Sequence, residues 1–270
     1  MKRLGQHFLI SKEEIKKVVE ALDLKPGETV IEIGPGHGEL TNKIIEKLKD
    51  LKIERFKIIA IEKDEKLVEF LQQKFASDKN IEIIQGDALK ILPKLCFKLH
   101  ASGFKIIGNI PYYITGYLFR ILSELENKPS LIVLTIQKEM AQRIVSQPPQ
   151  MNLLAASVQF WAEPKIVSYI SKKEFKPAPK VDSAIIKLIP KPYTLNPKPY
   201  YNFIKILFKQ PRKTILNNLI HADSHGLEHG LTRINKKEKT IENLQKIGVN
   251  PTDRPQNLSI NQLIELAKSF

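Results

Sequence analysis

The chain has 270 residues, 42% hydrophobic and 27% charged, enough for one large domain or one large plus one small. Those values exclude a disordered chain, a collagen-like repeat and a bundle of membrane helices. Its 43 Lys+Arg against 29 Asp+Glu give a net charge of +14, with +4 in residues 1–150 and +10 in residues 151–270. A positive field concentrated in the second half points to a polyanionic partner, most simply nucleic acid. The basic opening, residues 1–14, holds no apolar segment, so no signal peptide is expected. The single cysteine, Cys96, fits a reducing compartment, and the protein is read as cytoplasmic.

In chain order, Ser11 and Glu14 form a capping box before Ile15, Val18, Val19 and Leu22, which share one helical face. Residues 29–33 read as a buried strand that enters the turn Gly34-Pro35-Gly36-His37-Gly38, and a helix with Leu40, Ile44 and Leu48 follows. Strands are predicted at 57–61, 81–84, 105–107 and 131–136, with helices over 65–75 and around 116–125. This alternation predicts an α/β fold with a mostly parallel, Rossmann-like sheet covered on both faces. After residue 155 the period shortens. Segments 157–161, 166–170 and 183–189 read as strands close in sequence, so the sheet is expected to end in an antiparallel hairpin. Four prolines within residues 190–199 exclude a helix or a central strand there. The predicted domains are therefore 1–189, a linker 190–199, and a small basic all-α domain over 200–270 with helices at 200–208, 214–220, 239–247 and 259–270.

A strand running into Gly34-x-Gly36-x-Gly38 and then a helix is a nucleotide-binding turn, because glycine lets the backbone approach a ligand at the carboxyl end of a parallel strand. A dinucleotide fingerprint wants a small residue where this chain has Glu39, and a pyrophosphate is repelled by that carboxylate. Glu62 ends the second strand, placed to accept hydrogen bonds from ribose hydroxyls. Asp87 follows the third, placed to accept one from an adenine amino group. Two strand-end acids without a phosphate-neutralising lysine in the loop suit S-adenosylmethionine, a cationic sulfonium nucleoside.

The fourth strand ends in Asn109-Ile110-Pro111-Tyr112. The exocyclic amine of an aromatic base is a poor nucleophile, since its lone pair is delocalised into the ring. The Asn109 side-chain oxygen and the Ile110 carbonyl can accept its N–H groups and favour the positive charge that develops on nitrogen as it attacks a methyl. Pro111 stiffens the turn, Tyr112 offers a ring face for the base, and catalysis is mostly positioning.

Asn109-Ile110-Pro111-Tyr112, the opening Gly5-Gln6-His7-Phe8-Leu9 and residues 175–184 (Phe-Lys-Pro-Ala-Pro-Lys-Val-Asp-Ser-Ala) resemble the rRNA adenine N6,N6-dimethyltransferases, the KsgA family. The similarity extends through Arg212-Lys213-Thr214 to Asn257-Leu258-Ser259. It implies a class I methyltransferase fold and dimethylation of two adjacent adenosines in a small-subunit rRNA hairpin during ribosome assembly, with S-adenosylmethionine as donor. By position, the resemblance places His7 and Leu9 over the methionine and ribose end of the cofactor and Gly34 in the methionine pocket, beside Gly36. Glu62 falls on the ribose, Asp87 on the adenine, and Asn109 between cofactor and target. Tyr112 and Phe175 would sandwich the target adenine, with Lys180, Arg212 and Lys213 on RNA. A monomer that acts on the assembling small subunit, without metal or membrane, is expected. This chain departs from many relatives at His7, at Leu153-Leu154 and at Pro211.

Two rivals share these features: an Erm-type enzyme acting on large-subunit rRNA, and an assembly or RNA-binding factor whose catalysis is dispensable. A dinucleotide oxidoreductase is more distant. His221, His225 and His229 share the spacing of a helical metal site, but Asp223-Ser224, Gly226 and Gly230 argue for a loop. Trp161 is read as core.

Overall fold

In the computed structural model, which describes residues 7–99, 103–192, 197–220 and 233–269, strand and helix alternate from the start. The order is β1 (Phe8–Leu9), α1 (Lys12–Ala21), β2 (Thr29–Ile33), α2 (Glu39–Asp50), β3 (Lys57–Glu62), α3 (Glu65–Lys74), β4 (Ile81–Gln85), α4 (Ala88–Lys98) and β5 (Phe104–Asn109). A 3-10 turn, Tyr112–Ile114, leads into α5 (Thr115–Glu124). Then follow β6 (Leu131–Gln137), α6 (Lys138–Ile144), α7 (Leu153–Gln159), β7 (Ala162–Ile170), β8 (Phe175–Lys176) and β9 (Ser183–Pro190). The remaining helices are α8 (Pro197–Leu207), α9 (Ile215–Ile220), α10 (Arg233–Lys246) and α11 (Ile260–Ser269).

The strands order as β4-β3-β2-β5-β6-β9-β7, with β4 through β6 parallel and β9 antiparallel to β6. β2 is buried at every position and β6 at all but its last, the unbroken burial of strands covered on both faces. One face packs under α1 and α2. Ile15, Val18, Val19 and Leu22 meet Leu40, Ile44 and Leu48 over Val30, Ile58 and Ile107 in one core cluster. After β4 the chain returns to the other side of β2, so the carboxyl ends of β2 and β5 flank the switch point where such sheets bind ligands. Gly108 permits this pairing: a Cβ there would meet the Ile33 carbonyl at 2.7 Å.

Two compact units result, one of Met1–Gln142 with Glu163–Lys191, the other of Arg143–Ala162 with Pro192–Phe270. Residues 143–162 thus group with the helical unit, whereas the sequence reading ran the first domain unbroken to 189. The cause is the segment predicted as a strand at 157–161. It lies in α7 and its C-terminal turn, where Asn152 caps the helix by accepting the Ala155 N–H at 3.0 Å. Its buried side chains, Ala155, Ala156, Val158 and Gln159, follow helical spacing, so the cap and the Ala-Ala pair outweigh the β-forming Val, Phe and Trp. Tyr200 of α8 stacks on Phe160 at 4.0 Å and donates to the Ala156 carbonyl, while Trp161 is buried as expected.

Pro197 and Pro199 sit inside the first turn of α8, where the missing N–H groups have no intrahelical partner to lose. The rule against helix at 190–199 fails there for that reason. The Ser11–Glu14 capping box forms by half: Ser11 Oγ accepts the Glu14 N–H, but the Glu14 carboxylate turns to Lys17 instead. A full reciprocal box occurs at α11, where Ser259 Oγ accepts the Gln262 N–H and Gln262 Oε1 accepts the Ser259 N–H. Residues 193–196 of the proline-rich stretch, Gly5 and Gln6 of the opening motif, and His221, His225 and His229 lie outside the described residues. Among those described, no cluster of His, Cys, Asp or Glu could hold a metal, and no helix is long and apolar enough to cross a membrane.

Candidate active site

The ends of four strands, β2, β3, β4 and β5, and the turn after β5 meet at one cleft of about 290 Å³. β2 delivers Gly34 and Gly36, both in the left-handed region (φ +65° and +60°), which favours glycine over any residue with a Cβ. A Cβ on Gly34 would meet no described atom within 4 Å, since it would point into open space at the cleft wall. A Cβ on Gly36 would strike the Phe8 ring at 2.7 Å.

β3 delivers Glu62, nearly fully buried. Its Oε1 accepts the Lys63 and Asp64 N–H groups at 2.8 and 3.0 Å, and its Oε2 accepts the Gly36 N–H at 3.2 Å. These bonds hold the carboxylate at the strand end and tie it to the glycine turn, with acceptor capacity left on Oε2. Asp87, beyond β4, caps α4 through the Leu89 N–H and pairs with Lys63 Nζ at 3.0 Å. Partial burial works against the ionised Asp87, but the Lys63 ammonium and the Leu89 N–H outweigh it and hold its carboxyl below the usual aspartate range.

β5 delivers Asn109. Its Nδ2 donates to the His7 carbonyl at 2.8 Å, which orients the amide with its oxygen on the opposite branch. His7 is itself anchored, with Nδ1 bonded to the Pro177 carbonyl at 2.7 Å, while β1 pairs with β8 so that Leu9 faces Phe175 in register. Tyr112 bonds Ser183 Oγ at 2.8 Å, and burial raises its phenol above the ordinary value, so it stays protonated. The His7 ring lies across Tyr112, centroids 6.0 Å apart and planes 30° from parallel.

Of the predicted site residues, the cleft brings together His7, Gly34, Gly36, Glu62, Asp87, Asn109, Pro111, Tyr112 and Phe175. Leu9 is not among them. Its side chain is buried in the core, and its neighbour Phe8 lines the cleft, with its ring edge-on to His37 at 4.7 Å. Lys180 is exposed and does not line the cleft. Arg212 and Lys213, in the helical unit, are exposed on a loop whose backbone is held by buried Asn218, which donates to the Gln210, Lys213 and Thr214 carbonyls.

Sequence reasoning missed Phe8, Lys63 and Tyr113 at the cleft, and Glu32 beneath it. Glu32 is fully buried on β2 and accepts Thr41 Oγ1 of α2 at 2.6 Å, while burial pushes its carboxyl up to about 7. A glutamate in an otherwise apolar strand was the available signal. Phe8 and Tyr113 gave none, being aromatics whose side chains could equally have filled the core.

The ribosomal RNA adenine dimethylase family model matches residues 1–262. The chain belongs to that family. Ribosomal RNA small subunit methyltransferase A of Dehalococcoides mccartyi is 38% identical over 97% of this chain and 85% of its own length. The protein of the same name from Mycoplasma capricolum is 35% identical over 98% and 95%. Among solved structures, a dimethyladenosine transferase from Plasmodium falciparum superposes with a TM-score of 0.77 at 25% identity, covering 96% of both chains. The 23S rRNA methyltransferase ErmE gives 0.73 at 23% identity over 97% of this chain and 98% of its own, a likeness of fold. In this chain the turn after β5 brings an amide, a carbonyl and an aromatic ring together at the cleft.

Proposed function

We propose that the protein transfers methyl groups from S-adenosylmethionine to N6 of two adjacent adenosines in a small-subunit rRNA hairpin, dimethylating each, during assembly of the small ribosomal subunit. The orientation of Asn109 carries the reading, because its oxygen is the amide atom left to accept from an adenine amine. The names of the full-length relatives support the small-subunit substrate over the large-subunit one.

The cleft suits the donor. Glu62 and Asp87 offer carboxylates to hydroxyl and amino groups, Lys63 is paired with Asp87, and Gly34 leaves room against the backbone. That balance favours a neutral or cationic nucleoside over a pyrophosphate. When bound, S-adenosylmethionine supplies an electrophilic methyl carbon. Asn109 Oδ1 and the Ile110 carbonyl accept the amine's N–H groups and stabilise the charge that grows on nitrogen. Tyr112, neutral and tethered to Ser183, presents its ring to the base, with Phe175 lining the same cleft. Extruding a base costs a few kcal/mol, and stacking on aromatic rings returns about 1–3 kcal/mol for each base. His7 covers the Tyr112 ring and is the side chain that has to yield to an incoming base. Water takes the proton that the methylated amine releases. Exposed Lys180, Arg212 and Lys213 are assigned to phosphates.

Nucleoside mass spectrometry of small-subunit rRNA incubated with protein and methyl donor tests the reading, with dimethyladenosine as the expected product. Asn109→Ala is expected to lower the transfer rate on the order of 100-fold. Unchanged transfer in that variant refutes the assignment, and product on large-subunit rRNA alone refutes the substrate.

A further inference from the structure

Beyond the residues that hold the reacting base, the outward face of the next segment carries an unexplained pattern. Tyr113 and Tyr117 are 66% and 57% exposed, and four residues apart they lie on one side of the path from the 3-10 turn into α5. Gly116 and Arg120 continue the same exposed stripe. Tyr113 also lines the cleft, so the stripe starts there and leads away from it. The inward face of α5 is already filled by Leu118, Phe119, Ile121 and Leu122, so the helix does not depend on the tyrosines for its packing.

Gly116 is an independent observation. Glycine is among the poorest helix formers, yet here its backbone is outside the left-handed region and a Cβ would meet no described atom within 4 Å. Neither conformation nor internal packing requires it. What glycine does at 116 is leave the exposed surface of the helix bare beside Tyr113 and Tyr117, where any larger residue would project outward.

We propose that Tyr113, Gly116, Tyr117 and Arg120 form a platform for unpaired RNA bases flanking the target adenosine. The rings stack on bases, glycine admits them to the helix surface, and Arg120 meets the backbone phosphate. The proposal rests on the reading of the cleft as an rRNA adenosine site. Extruding one base leaves its neighbours with unstacked faces, and aromatic rings beside a cationic group are what such faces bind. The ion pair of Arg120 with Glu124 is largely exposed and yields readily to a phosphate.

The test measures the affinity of the full-length protein for an RNA hairpin with two adjacent loop adenosines, by fluorescence anisotropy. Tyr113→Ala and Tyr117→Ala are each expected to raise Kd about 5- to 150-fold, from the cost of losing one stacked base. The Phe variants should stay near wild type. Gly116→Leu is expected to raise Kd as well while its melting temperature holds or rises, an outcome that a purely structural glycine would not give. Kd within twofold of wild type for Tyr117→Ala and Gly116→Leu overturns the proposal. So does a Phe variant as weak as the Ala one, or a loss seen on assembled subunits but not on the hairpin, which would make the surface a protein contact. Failure of the wild-type protein to methylate both free small-subunit rRNA and assembling small subunits would overturn the underlying reading before any variant is made.

Discussion

Glu32 shows how a single buried carboxyl shapes the pH response of the fold. Its ordinary value is 4.5, and burial moves it to about 7 in the folded protein. Between those values the native state keeps a proton that the unfolded chain has lost, so this group's contribution to stability falls as pH rises from 4.5 to about 7 and levels off above it. At about 1.4 kcal/mol per pH unit the difference amounts to about 3 kcal/mol. Glu32→Gln should therefore flatten the pH dependence of the urea midpoint across that window, with its largest stabilisation near pH 8. An unaltered profile would show that Glu32 does not titrate there. Cys96, at the same scale, is buried with its thiol pushed up to about 12, and should resist thiol reagents until the protein unfolds. A lone cysteine was visible in the sequence, but its inertness comes from the packing around it.

Short elements, more than long ones, set the site. The two residues of β1 hold His7 and Phe8 against the cleft by pairing with β8, and the His7 carbonyl in turn orients Asn109. Leu9 was placed at the cofactor by the family resemblance, and no periodicity can reveal the two-residue strand that buries its side chain and leaves Phe8 at the cleft. The glycine turn was legible because three glycines at alternate positions leave a fixed spacing. Its members differ in what they protect. Gly34→Ala places a methyl at the cleft wall and should weaken S-adenosylmethionine binding at least tenfold in calorimetric titration. Both variants carry the strain of a left-handed backbone, and Gly36→Ala, which also drives its methyl into Phe8, should lower the melting temperature further. Equal losses of stability, without a difference in donor affinity, would contradict this division. The segment at 157–161 failed as a strand because its local β-formers lie in a helix that Asn152 caps and α8 covers.

Across the whole molecule, the +10 of residues 151–270 should make RNA affinity fall steeply with salt, each phosphate contact contributing about 0.7–0.9 to the slope of log affinity against log salt. Arg212→Ala is expected to lower that slope by about 1 and to weaken all RNA sequences alike. A slope unchanged from wild type would remove Arg212 from the interface. The alternation of strand and helix, the glycine spacing, the strand-end acids and the Asn-Ile-Pro-Tyr turn could all be read in sequence, since each follows from local periodicity or from chemistry carried by adjacent residues. The grouping of residues 143–162 with the helical unit could not, nor could the tie between Asn109 and His7, the burial of Glu32 or the exposed stripe on α5. Those depend on contacts between residues far apart along the chain, and which surfaces meet is decided when the whole chain buries its apolar faces together.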